Sequence, residues 1–415
     1  MLLRKFLRLP FSCFAIASIA LLSQNIWAAT ESTVYSFTGG LDGSNPASQL
    51  VFDTAGNAYG TTVTGGSSNC GTVFELTPSG GGHYQQRVLL SFDCFSGGKN
   101  PYGGVTMDAQ GNLYGTTAAG GSAGICSGDG CGVVFKLTHS GSSWTESILY
   151  SFHDSPDAAG PGAPVVFDSS GDLLGSTPDG GAYAAGAIFE LSNNNGQWTE
   201  RVIHDFTGGA DGAIGSLGPL LPDAFGNFYG VTELGGVSGA GTVFRIAPEP
   251  GGGWRFRTMY AFLGQPDAAF PYGGLISDSH GYLYGTTYYG GANGAGAVFR
   301  VGPGESINGW RDAVLYSFQG GADGGNPTSS LTFAGGKLYG TTTAGGDAGC
   351  DCGVVFALTP AGANHWSESV LHTFGTFPDG ANPYYGLAPD TAGNFLGTTA
   401  TGGNDSAGVV FKITP

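Results

Sequence analysis

Positive charge is scarce in this chain. Lys and Arg total 14 against 31 Asp and Glu in 415 residues, a net charge of −17. Nucleic acids and anionic membrane surfaces are held through clustered cations, so neither is an expected partner. Methionine is rare, at three, and charged residues make up 11% of the chain. Apolar residues nowhere recur at the 3.6-residue spacing that a helical solenoid needs. The seven histidines never fall at ligand spacing, which argues against a zinc site. Long apolar runs are missing as well, with one exception. Residues 11–22 follow Arg4, Lys5 and Arg8 and precede the small pair Ala28 and Ala29. That run is too short for a comfortable membrane span and reads as part of a secretory leader over residues 1–29. Cleavage would remove three of the 14 cations and no acid, leaving 11 against 31, or −20. A secreted or periplasmic monomer with no membrane attachment is expected. Its six remaining cysteines, an even count in an exported chain, fit disulfides.

What is abundant is glycine, 78 residues, and much of it is periodic. The sequence GNLYGTT at residues 111–117 recurs in degraded form, its second glycine falling at Gly60, Gly115, Gly175, Gly230, Gly285, Gly340 and Gly397. The steps are 55, 60, 55, 55, 55 and 57 residues. Each period holds four strand-like runs bounded by turn residues. The first is short, apolar and ends in Asp, as at residues 105–108. A DxxGN turn leads to the second, the LYGTT element. A glycine-rich loop precedes the third, of which GVVFKL at 132–137 is typical. The fourth is clearest at 144–152, WTESILYSF.

Neighbouring residues such as Val73 and Phe74 point to opposite faces of a strand, so both faces of each sheet are apolar and must be covered. Four-stranded sheets stacked radially against like neighbours meet that need. The fold class expected is all-β: a seven-bladed β-propeller with four antiparallel strands per blade, in one domain over residues 30–415. Residues 33–37 are a fourth-type strand without partners, and the last repeat stops after its third strand at Pro415. The N-terminal strand is therefore expected to complete the last blade and close the ring.

The LYGTT…GG…G-V-F-x-L-T-P…YSF…DG-x-NP pattern resembles the GloVer tandem-repeat family of secreted bacterial proteins and covers the whole chain after the leader. The resemblance implies export and a propeller-like repeat fold, and it brings no established activity. The strand–DxxGN–strand unit is also similar to that of streptogramin lyases and sensor propellers. No catalytic His and Glu of a lyase can be matched here, so no site residue follows.

In a propeller, the loops after the second and fourth strands share one rim, the top. Six top loops carry Asp42, Asp157, Asp211, Asp267, Asp323 and Asp379, mostly four residues before a proline, while Gly97 stands at the seventh place. They are candidates for a ring of oxygen ligands for Ca2+, or for an acidic mouth. The plainer reading, and the usual one for a residue present in every blade, is that each Asp caps its own loop.

Departures from the repeat carry more information. Tyr102, Phe270, Tyr272, Tyr384 and Tyr385 lie in top loops, with Tyr183, Tyr288 and Tyr289 in the second loop type. Aromatic rings at a concave mouth stack on sugars, or else plug the channel and pack loop on loop. Lys99 is the only cation in a top loop. His153, beside Asp154 and Asp157, is a weak candidate for a general base and reads equally as an exposed loop residue. Six cysteines allow 15 pairings and the sequence leaves the connectivity open; shared rim placement favours Cys70 with Cys94, Cys126 with Cys131 and Cys350 with Cys352. The function expected is binding of a neutral glycan or an extracellular surface partner on the top face. The alternatives are a polysaccharide lyase or glycoside hydrolase, and a scaffold without catalysis. Ca2+ is the one cofactor suggested.

Overall fold

The computed structural model describes residues 29–415, apart from 122–125, 142, 154, 216–217, 304–309, 363–364 and 376. The leader over 1–29 therefore lies, but for Ala29, outside the described residues, as does Asp154. Seven antiparallel sheets form a ring. In the second blade the order from the axis outward is Val105–Met107, Leu113–Thr117, Val133–Ser140 and Ser143–Ser151. In the seventh, Thr30–Ser36 lies outside Val409–Thr414, with Thr30 opposite Thr414 and Ser36 opposite Val409. The first strand of the described chain thus finishes the last blade and removes two open edges. No α-helix occurs among the described residues, where one 3-10 turn, Cys126–Gly128, is the sole helical element. No helix there is long and apolar enough to cross a membrane.

The core is seven interfaces rather than one centre. Val133 and Phe135 of the second blade pack with Val73 and Phe92 of the first. Val134, between them on the other face, packs with Phe152 and with Phe189 of the third blade. The alternation that sends successive side chains to opposite faces therefore gives each blade two apolar sides, both dry. One motif repeats at every interface. A phenylalanine ending a fourth strand meets the phenylalanine of the next blade's third strand edge to face, from Phe37 on Phe74 through Phe92 on Phe135 to Phe374 on Phe411. Such a pair adds roughly 0.5–1.5 kcal/mol to the area both rings bury.

The repeat glycine now has a cause. Gly115 sits directly across from Phe135 on the neighbouring strand, and a Cβ there would stand 2.5 Å from the ring. Gly230 against Phe244 and Gly397 against Phe411 are the same, each at 2.4 Å. The ring lies over the vacant face of the glycine, so any side chain would displace it.

At the bottom rim, the DxxGN turns are closed by their own Asp. Asp108 Oδ1 accepts from Gln110 N and Asn112 N, and Oδ2 accepts from Asn112 Nδ2 and the Tyr114 hydroxyl. The three cysteine pairs are bonded as their rim placement suggested: Cys70–Cys94, Cys126–Cys131 and Cys350–Cys352, with Cα separations of 5.3, 5.3 and 5.2 Å.

Candidate binding cavity at the channel mouth

The top loops reach the axis through a break in the innermost strand. In the first blade, Ser44–Pro46 pairs with the upper end of Ala58–Thr64 and Val51–Phe52 with its lower end. Ala47, Gln49 and Leu50, between the two pieces, line the channel mouth. The proline anchors this break. Pro101 lies over Gly71 of the preceding blade, whose Cβ would meet Pro101 Cδ at 2.6 Å, and Pro271 covers Gly241 in the same way. Loop aspartate and loop proline thus have separate tasks, one tying the loop to its own blade and the other seating it on the neighbour.

The aspartate's task is visible at each site. Asp157 Oδ2 accepts from the Tyr150 hydroxyl at 3.0 Å and from His153 N at 2.7 Å. Asp42, Asp267 and Asp323 do the same with Tyr35, Tyr260 and Tyr316, while Asp211 and Asp379 take His204 and His372 in place of tyrosine. The backbone donor four residues earlier is Thr38, Thr207, Leu263, Gln319 or Gly375. Burial raises the Asp211 and Asp379 pKa values, but hydrogen bonds, first from the Thr207 hydroxyl to Asp211 and from His372 to Asp379, outweigh it and hold both below the usual carboxylate range. The six carboxylates turn into their own blades and do not converge on a common ion, as a Ca2+ ring would require. Where Gly97 replaces the aspartate, Asp93 closes the loop from its other end through Phe95 N, Gly97 N and Ser96 Oγ.

The axial cavity has a volume of about 760 Å3. At the position after the loop proline it is walled by Ala47, Tyr102, Gly162, Tyr272, Thr328 and Tyr384. One residue deeper, six blades carry the small residues Ser48, Gly103, Ala163, Gly218, Gly273 and Ser329, and the seventh carries Tyr385. Tyr385 is half-buried, and the cavity opens onto it. Burial, with smaller contributions from Tyr272, Tyr102 and Tyr384, pushes its hydroxyl far above the usual tyrosine range. Tyr272 is pushed up to about 12, first by burial and then by Glu233, Tyr384, Tyr102 and Tyr288. These phenols are neutral donors at physiological pH.

A side pocket of about 400 Å3 shares Tyr272, Thr328 and Tyr384 with the axial cavity and adds Glu233, Leu234, Phe270, Tyr288 and Tyr289. Burial raises the Glu233 pKa. The fold therefore gathers Tyr102, Tyr272, Tyr384 and Tyr385 from three blades at the axis, with Phe270 and Tyr288 beside them. Lys99 and His153 line neither space. The Lys99 ammonium lies 3.1 Å from Asp129 Oδ1, and the largely exposed His153 ring lies 3.5 Å from Asp157 Oδ2.

Sequence reasoning missed two acids. Asp179 lines the axial cavity from the short strand Asp179–Gly180, and Glu233 lines the side pocket from the upper end of the strand Phe228–Leu234. The signal was present. At the place of Glu233 the other repeats carry Val63, Ala118, Pro178, Tyr288, Thr343 and Ala400, so a charge there belongs to one blade alone. Among the described residues, two groups of three acids or histidines have ligand atoms close together: Glu31, His372 and Asp379, and Asp168, Asp172 and Glu190. None of the six lines the axial cavity or the side pocket.

Matches to the Gloeobacter/Verrucomicrobia repeat cover residues 23–128, 124–312 and 256–415. The chain belongs to that family. No functionally curated protein matches it. Among solved structures it is similar to a fungal alcohol oxidase of the AA5 family in complex with copper, at 12% identity and a TM-score of 0.54 over 94% of this chain and 76% of that one. It is also similar to a putative glucose dehydrogenase from Thermus thermophilus, at 14% identity and a TM-score of 0.45 over 93% and 100% of the two chains. For a Trypanosoma rangeli sialidase the values are 12%, 0.41, 81% and 57%. At these identities the likeness is one of fold, and a propeller serves many unrelated activities.

Proposed function

We propose that the protein is an exported binding protein whose top face recognises a neutral glycan. The observation that carries this reading is the axial cavity, where Tyr102, Tyr272 and Tyr384 bring aromatic rings and hydroxyls around a space of about 760 Å3. Rings of this kind stack on the apolar faces of pyranoses while the hydroxyls exchange hydrogen bonds with sugar hydroxyls. Beneath the tyrosines, Gly103 and Gly273 let neighbouring inner strands close up, a Cβ there meeting the next blade's backbone at 2.5 and 2.6 Å, while Tyr385 joins the cavity lining beside them. Binding is favoured over catalysis by the composition of the wall. Glycoside hydrolysis needs two carboxylates flanking one bond, whereas a single acid lines each space here, Asp179 the axial cavity and Glu233 the side pocket, and no His, Cys, Lys or Arg is among the described lining residues. Export is supported by the leader-like N-terminus and the three disulfides.

The test is a screen of neutral oligosaccharides against the purified chain, followed by titration calorimetry on the hits. Replacing Tyr272 or Tyr384 by Ala is expected to weaken binding about tenfold or more, and His153→Ala to leave it unchanged. Sugar turnover, or affinity indifferent to both tyrosines, would refute the assignment.

A further inference from the structure

We infer that the side pocket on the top face is a cage for an organic ammonium group, seated among Tyr272, Tyr288 and Tyr384 with Glu233 as its counter-ion. This rests on the mouth being a binding site and names the kind of group that its side pocket takes.

Five of the eight residues lining this space of about 400 Å3 are aromatic: Phe270, Tyr272, Tyr288, Tyr289 and Tyr384. Tyr288 and Tyr289 stand at 90° with centroids 4.6 Å apart, and Phe270 meets Tyr289 edge on at 5.8 Å. Rings set at right angles lie in different planes and so offer π-faces in more than one direction. A cation is attracted to such faces, most strongly where water is displaced.

The second observation is the carboxylate. Glu233 is half-buried, and no Lys, Arg or His pairs with it among the described residues. A desolvated carboxylate without a cation is costly, and a ligand that brings the cation recovers that cost. Neither observation suits another ligand class. An anion would meet Glu233 and the ring faces with repulsion. A hard metal ion wants six or more oxygens, and one carboxylate among aromatic rings supplies too few. A neutral sugar could hydrogen-bond the carboxylate but would leave its charge uncompensated, and no other repeat has a charge at this position. Glu233 therefore serves the pocket and not the blade.

The experiment titrates the full chain with choline, with its uncharged isostere 3,3-dimethylbutan-1-ol, and with glucosamine. Choline is expected to bind, and the isostere about tenfold more weakly. Glu233→Gln is expected to cost choline about tenfold and to leave the isostere unaffected. Tyr288→Phe should retain choline because the ring face is kept, whereas Tyr288→Ala should lose it. Wild-type protein alone provides an independent measurement, since the choline N-methyl proton line moves upfield when held against ring faces. Choline binding without glucosamine assigns a methylated ammonium, and glucosamine binding assigns an amino sugar; both support the cage. Equal affinity for choline and its isostere overturns it, as does failure of both ammonium probes. Neutral oligosaccharide binding that persists through such a failure would leave the glycan reading standing and remove only the cage.

Discussion

At the blade interfaces, Phe92 meets Phe135 over Gly115, Phe262 meets Phe299 over Gly285, and Phe318 meets Phe356 over Gly340, with ring centroids 4.9–5.2 Å apart. At the hub, the residue after the loop proline is Ala47 in one blade, Gly162 or Thr328 in others, and Tyr102, Tyr272 or Tyr384 in three more. Wall and hub come from the same repeat, a few residues apart, yet one is invariant around the ring and the other is not. Every interface faces the same neighbour geometry, so one solution serves seven times. The hub faces a shared axial space where seven identical side chains would either collide or leave a hole. That freedom lets one blade carry Glu233 and another Tyr385.

The contrast can be attacked first at the wall. Deleting residues 30–38 removes the outer strand of the seventh blade and opens the ring. The expected loss exceeds that of any point substitution, upward of ~5 kcal/mol, with association through the exposed edge. Denaturant melts and size-exclusion chromatography would register both. An unchanged melt would mean that closure contributes little. Phe135→Ala comes next, at about 3–5 kcal/mol, and Phe299→Ala should cost a similar amount because the sites are equivalent. A large difference between them would show that the interfaces are not interchangeable.

A pH scan probes the upper, outer part of the same wall. Glu146, Glu200 and Glu368 are raised from 4.5 to about 7, about 8 and about 7, chiefly by burial and then by acids including Asp93, Asp157 and Asp323 on the preceding loops. Each keeps one buried oxygen without a hydrogen-bond partner. Raised carboxyl pKa values mean that the folded state binds these protons more tightly than the unfolded one. Their contribution is complete below about pH 4.5 and lost as pH rises through 7 to 8. The turn acids run the other way. Burial raises Asp53, Asp108 and Asp223, but the Asn and backbone donors outweigh it and hold them low, so their contribution is lost as pH falls below about 4. The melting temperature should therefore peak in mild acid and decline toward pH 8.5. Replacing the three glutamates by Gln should flatten the alkaline side, and a decline that persists would assign it elsewhere.

The smallest expected stability change belongs to the hub. Tyr384 is 42% exposed, and its replacement by Ala should alter stability by about 0.5 kcal/mol while weakening glycan binding as stated above. A large stability loss would make the ring a plug and not a wall of the site.

Much of the fold was legible because one solution is written seven times. The period, the paired Val and Phe on opposite faces and the unpartnered run at 33–37 specify blade number and closure with no long-range information. The candidate site was only partly legible. Tyr102, Tyr272, Tyr384 and Tyr385 stood out as departures from the repeat, but which departures share a space depends on loop direction. Lys99 and His153 are departures too, and their loops carry them away from the axis to Asp129 and Asp157. Glu233 is a single departure among many, whereas the loop aspartates recur in six blades, and that regularity is the mark of a structural role.

What the sequence determined by itself was local and repeated. Glycine opposite phenylalanine, aspartate ahead of its turn and cysteines on one rim each constrain atoms a few residues or one blade away. Only the tertiary structure decided that the second, fourth, fifth and seventh blades would bring Tyr102, Glu233, Tyr272 and Tyr384 around adjoining spaces. Those residues lie up to 282 positions apart, and ring closure is what makes them neighbours.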